Sequence, residues 1–81
     1  MKIKIYSMPT CSNCYSVKEY LKQNNIKFED LDISADDKLA IEMKNKTGQF
    51  NVPVIIIEKN NKEEIIIDFD KKKIDKIILG K

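Results

Sequence analysis

The chain has no histidine, no arginine and no tryptophan. Without histidine, Ser-His-Asp and Cys-His nucleophile pairs are excluded, and so is a zinc site of the Cys/His type within one chain. Without arginine there is no planar fork to hold phosphate or carboxylate through paired hydrogen bonds; all 15 basic residues are lysine. The formal charge is only +2 and is spread along the chain, which argues against a dedicated nucleic-acid surface. Glycine and proline are scarce, two of each, and no linker, repeat or low-complexity tract breaks the chain. Long apolar runs are missing too. Val52 to Ile57 and Ile65 to Ile67 are far too short to span a bilayer. Met1-Lys2-Ile3-Lys4-Ile5 alternates lysine with isoleucine and no apolar h-region follows, so no signal peptide is expected. These absences predict a cytoplasmic protein with neither a membrane nor a nucleic-acid partner. There, two cysteines more often do redox or metal work than form a permanent staple.

What is present suits a compact domain. A composition of 42% hydrophobic and 35% charged residues over 81 positions predicts one globular domain, residues 1–81, with a modest core and a small margin of stability. Ile3, Ile5 and Tyr6 mark a first strand, which Pro9 stops. Cys14, Val17 and Leu21 fall on one helical stripe, predicting a helix over Ser12 to Gln23. Lys27 to Ile33 reads as a second strand. Ser34 with Asp37 reads as an N-cap pair for a second helix, whose buried face is Leu39, Ala40 and Met43 and which closes at Thr47-Gly48. Val52 to Ile57 is apolar on both faces and therefore central. A polar turn around Asn60-Asn61 leads to a returning strand, Glu64 to Ile67. Asp70 caps a last helix carrying the stripe Ile74, Ile77, Ile78. The predicted order is β-α-β-α-β-β-α, an α/β class, with a right-handed βαβ half followed by a hairpin and helix.

The only two cysteines form Cys11-Ser12-Asn13-Cys14. A C-x-x-C at a strand-to-helix junction reads as a redox motif. A helix N-terminus presents unpaired N–H groups and partial positive charge, which favour a thiolate. The i, i+3 spacing puts both sulfurs on one face. Cys11, at the helix start, faces the loop and is expected to attack; Cys14, one turn in, is expected to resolve by closing an intramolecular disulfide. The bland alternatives are two small buried hydrophobes or half of a shared metal site. Lys18 is the nearest downstream lysine, so the helix end must supply most of the stabilisation. Pro53 cannot donate to a strand ladder. It is either an ordinary strand-start proline or one in a cis Val52–Pro53 bond. The second option leaves the backbone of Val52 free to pair with an extended thiol peptide.

With these residues in place, the chain resembles a glutaredoxin from Lys2 to Leu79. The resemblance rests on Pro9-Thr10-Cys11-x-x-Cys14, Thr47-Gly48 ahead of Val52-Pro53, the hairpin, and Phe69-Asp70 opening the last helix. It implies a minimal thioredoxin fold with a four-stranded mixed sheet flanked by three helices. It also implies a monomeric glutathione-disulfide oxidoreductase. Catalysis falls to Cys11 and Cys14. Glutathione, the co-substrate, meets Val52 and Pro53 through its backbone, and meets Phe69 and Asp70 through its γ-glutamyl carboxylate and ammonium. Its substrates are glutathionylated or disulfide-bonded proteins. The chain departs from the family pattern at Ser12 and Asn13 inside the motif, at Met8 where a lysine is common, at Asn51, and before the last helix. There the usual Gly-Gly is absent and Asp68 lies nearby. Phe69-Asp70 also resembles redoxins that serve ribonucleotide reductase and are recycled by thioredoxin reductase. Ser12 resembles glutaredoxins that bridge two protomers with a 2Fe–2S cluster held by Cys11 and glutathione; otherwise no metal is expected.

Overall fold

A computed structural model describes residues 1–80. The elements run β1 (Lys2–Ser7), α1 (Ser12–Gln23), β2 (Glu29–Asp32), α2 (Asp37–Thr47), β3 (Val54–Lys59), β4 (Lys62–Ile67) and α3 (Lys71–Ile77). The strands form one mixed sheet in the order β2-β1-β3-β4. β1 pairs parallel with β2 and antiparallel with β3, and β3 pairs antiparallel with β4.

Period-two alternation decides which side of the sheet each residue faces. Ile3, Ile5, Ile55, Ile57 and Ile66 pack on one side against Val17 and Leu21 of α1 and Ile74 of α3. Tyr6, Val54 and Ile56 pack on the other against Met43 of α2. β3 is therefore buried on both faces, as its unbroken apolar run requires. The hairpin turns at Asn60 and Asn61, both with positive φ, the arrangement that matches strand twist in a two-residue turn.

Several boundaries differ from those read in the sequence; among them β4 begins at Lys62 rather than Glu64, β3 runs on to Lys59 rather than Ile57 and β2 ends at Asp32 rather than Ile33. β2 begins at Glu29 rather than Lys27, because this edge strand has only β1 to pair with and the ladder opens at Lys4–Glu29. α2 is capped by Asp36, whose carboxylate accepts the Lys38 N–H at 2.9 Å. Ser34 is engaged elsewhere: its hydroxyl and N–H both donate to Asp32. Those bonds hold the Asp32 carboxyl below its ordinary range. β3 begins at Val54 rather than Val52, since the ladder to β1 runs out at Tyr6–Val54 and Pro53 has no N–H to donate. α2 closes on Gly48 at φ 75°, whose N–H reaches the Lys44 carbonyl at 2.7 Å. A left-handed residue is needed at that position, and glycine takes it without steric cost.

Candidate active site

β1 delivers the chain to one end of the sheet, and the loop Met8-Pro9-Thr10 turns it into α1. Cys11 is the N-cap of α1, with extended backbone at φ −93°, ψ 111°. Its sulfur accepts the Cys14 N–H at 3.1 Å. This is the role a serine or aspartate side chain plays at an ordinary helix start, and the bond strengthens when the acceptor carries charge. The Cys11 N–H is spent on the Met8 carbonyl at 3.2 Å. Cys11 is half-buried and Cys14 fully buried, and neither is bonded to another cysteine. Burial pushes the Cys14 thiol up to about 12, helped by its hydrogen bond to Cys11 and only partly offset by the Met8 backbone. The pair is thus asymmetric: an accessible sulfur facing a backbone donor, and a sealed thiol held neutral beneath it. Lys18 lends little, because its ammonium is paired with Asp30 at 3.0 Å.

The opposite wall comes from the segment before β3. The Val52–Pro53 bond is cis, and the Val52 carbonyl lies 3.8 Å from the Cys11 sulfur. Neither the β1–β3 nor the β3–β4 ladder reaches Val52, so its backbone has no sheet partner. The Pro53 carbonyl is taken by the Asp68 N–H at 2.8 Å, which ties the β4–α3 loop to this wall. Met8, Asn13, Phe50, Asn51, Val52, Pro53, Ile67 and Asp68 together line an open cleft of about 460 Å³.

The residues assigned to the last helix sit at its start, although their donors are occupied. Asp70 is the N-cap of α3 and accepts the Lys73 N–H. The Phe69 N–H donates to the Asp68 carboxylate at 2.8 Å, and the Asp70 N–H donates to the Asp68 carbonyl at 3.1 Å. The Phe69 ring packs against Tyr20 at 5.8 Å between centroids. The topology therefore brings Cys11, Cys14, Val52 and Pro53 together, with Phe69 and Asp70 on the adjoining loop. Sequence reasoning did not foresee the pairing of Asn13 with Asp68, whose side chains meet at 3.1 Å. The only signal for it was the absence of the usual Gly-Gly pair before the last helix, with Asp68 nearby. Among the described residues, no three His, Cys, Asp or Glu side chains gather as a metal site, and no helix is long and apolar enough to cross a membrane.

A mixed four-stranded sheet with one helix on one face, two on the other and a C-x-x-C at the first helix start defines a thioredoxin-like fold carrying a thiol–disulfide redox pair. The glutaredoxin family model matches residues 3–61, and the chain belongs to the glutaredoxin family. It is 49% identical over 76 residues, 94% of this chain and 96% of its relative, to an uncharacterised glutaredoxin-like 8.6 kDa protein in the rubredoxin operon of Clostridium pasteurianum. It is 31% identical over 75 residues to the N-acetyl-S-hydroxy-L-cysteine reductase of Bacillus subtilis, covering 93% of this chain and 81% of that one. The crystal structure of the thioredoxin-like protein BC3987 superposes with a TM-score of 0.83 at 27% identity, covering 95% of this chain and 100% of that one. The protein is a glutaredoxin-like thiol–disulfide oxidoreductase.

Proposed function

We propose that the protein reduces disulfides through a division of labour between its two cysteines. Cys11 thiolate attacks a substrate disulfide, forming a mixed disulfide and releasing one substrate thiolate. Cys14 gives up its proton to that departing thiolate or to water and attacks the Cys11 sulfur. The second substrate thiolate leaves and the Cys11–Cys14 disulfide closes. Two electrons pass from the protein to the substrate. The observation that carries this reading is the asymmetry of the pair, with Cys11 half-buried against the Cys14 N–H and Cys14 sealed and protonated. A buried resolving thiol becomes reactive only when its partner is tied up beside it, which protects the reduced form from stray oxidation. The backbone of Val52 has no sheet partner, and its carbonyl accepts only the Cys11 thiol; it suits an extended protein or peptide segment bringing its disulfide in as an added strand. A relative named as a reductase of an S-hydroxy-cysteine derivative supports sulfur-directed reduction in this chain too.

The family suggests glutathione as the electron source, with Val52 and Pro53 meeting its backbone and Phe69 and Asp70 its γ-glutamyl end. One observation favours the second reading, recycling by thioredoxin reductase. The Phe69 and Asp70 N–H groups are already bonded to Asp68, so a glutathione carboxylate would have to displace Asp68 from those two donors. A flavoprotein that reduces the Cys11–Cys14 disulfide directly needs neither. The test is NADPH oxidation with an added protein disulfide, run with thioredoxin reductase alone and with glutathione plus glutathione reductase, on wild type, Cys11→Ser and Cys14→Ser. Turnover is expected with thioredoxin reductase and to be absent in Cys11→Ser. Efficient turnover with glutathione only would restore the first reading. Activity surviving in Cys11→Ser would remove the assigned roles altogether.

A further inference from the structure

From the Asn13–Asp68 contact we infer that Asp68 sets the charge of the disulfides this site accepts, excluding anionic thiol compounds and admitting neutral or cationic ones. The inference deepens the reductase reading above and depends on it. Asp68 carries the only formal charge among the described residues lining the cleft at Val52 and Pro53. Its backbone is held by the Pro53 carbonyl, so the side chain stands against the wall that faces the nucleophile. The carboxylate takes the Asn13 amide at 3.1 Å and the Phe69 N–H at 2.8 Å, and the Asp68 carbonyl takes the Asp70 N–H at 3.1 Å. The Phe69 and Asp70 N–H groups are thus already taken by the chain's own aspartate. Lys72 and Lys73, exposed at the start of α3, lie outside the residues lining the cleft. Lys18 is paired with Asp30, and Lys71 is drawn over the Tyr20 ring, 5.4 Å from its centroid. An anionic substrate entering the cleft meets the Asp68 charge and finds the Phe69 and Asp70 N–H groups taken, whereas a cationic one meets attraction.

Asp68 also adopts φ 68°, in the left-handed region that asparagine and glycine tolerate well. Asp68→Asn therefore removes the charge while keeping the backbone and an oxygen for Asn13. The experiment mixes fully reduced protein with one of three small disulfides of similar size, cystamine (a dication), 2-hydroxyethyl disulfide (neutral) or dithiodipropionate (a dianion). Each reaction is quenched with iodoacetamide, and formation of the Cys11–Cys14 disulfide is counted by mass. Each disulfide accepts two electrons and leaves as two thiols, so no further reductant is involved.

The quantity read is the cystamine-to-dithiodipropionate rate ratio within each variant, so a general change in reactivity cancels. The wild-type ratio is expected to be roughly tenfold or more at low ionic strength and to shrink when salt shortens the Debye length. It should fall to about threefold or less in Asp68→Asn. In Asn13→Ala, which breaks the contact and keeps the charge, the ratio should stay near the wild-type value. A wild-type ratio near one, or a ratio that Asp68→Asn leaves intact, overturns the inference while the reductase reading stands. If even the neutral disulfide fails to oxidise the pair, the reductase reading falls and takes the inference with it.

Discussion

The β3–β4 hairpin has two ends, and each carries non-glycine residues at positive φ. At the far end, Asn60 and Asn61 (φ 53° and 64°) simply turn the chain between Lys59 and Lys62. Both are exposed, and their conformation follows from the two-residue loop itself. At the near end, Asp68 takes φ 68° while bonded to Pro53, Asn13, Phe69 and Asp70. The backbone geometry is similar, yet the surroundings differ: one turn is closed by local chain stereochemistry, the other also by contacts with two distant segments, at Asn13 and Pro53. The far end serves the fold alone, and the near end shares its structure with the cysteine site.

This contrast can be tested from either end. The largest effect belongs to Cys11→Ser, which should lower disulfide reductase turnover by at least about a hundredfold, measured by NADPH-coupled assay, and leave the thermal midpoint nearly unchanged, because one half-buried atom of similar size is exchanged. Turnover close to wild type would remove Cys11 from the chemistry. Next comes the strand that both ends share. Ile55 is fully buried on the α1 and α3 side of β3, and Ile55→Ala should cost about 2–5 kcal/mol in urea unfolding, a large fraction of the stability of a domain of this size. A loss under about 1 kcal/mol would mean that the strand is not packed as described.

The sealed thiol gives a pH signature that the far end lacks. The fold raises the Cys14 pKa to about 12, against about 8.5 for a free thiol, so the native state favours the neutral form. The stabilisation this reflects is complete below about pH 8.5 and is lost as pH rises toward 12. Tyr6, raised chiefly by burial and then by its hydrogen bond to Glu42, acts in the same direction at still higher pH. Reduced wild-type protein should lose stability over that window, and Cys14→Ala should flatten the fall. In native protein at neutral pH, iodoacetamide should label Cys11 and spare Cys14; equal labelling of both would contradict the burial. The smallest effect lies at the far turn. Asn61→Gly, which creates an Asn-Gly pair at positive φ, should raise stability by a few tenths of a kcal/mol and leave turnover untouched. Altered turnover would show that the two ends are not independent.

How much of this was legible beforehand depended on how far apart the partners lie in sequence. The helix start at Ser12, the central place of β3, the caps at Asp70 and Gly48 and the Asn60-Asn61 turn all rest on residues within a few positions of one another and read correctly, although β3 itself runs two residues further on than read. The α2 cap was misread because Ser34 and Asp36 are both good capping residues. The choice fell to Asp36 once Asp32 had captured Ser34. β2 was read as starting two residues too early because Phe28 is apolar. Phe28 packs on the α1 and α3 side of the core without joining the ladder. The Asn13–Asp68 contact, 55 residues apart, left only a substitution out of pattern as its trace.

The sequence alone determined which atoms carry the chemistry and which face each strand residue presents, because periodicity, capping and thiol placement are set by near neighbours. Only the tertiary structure decided that the Val52 carbonyl faces Cys11 and that Asp68 meets Asn13 and Pro53. Those meetings depend on the β1–β3–β4 register, which aligns three loops at one edge of the sheet. No local stretch of chain encodes that alignment.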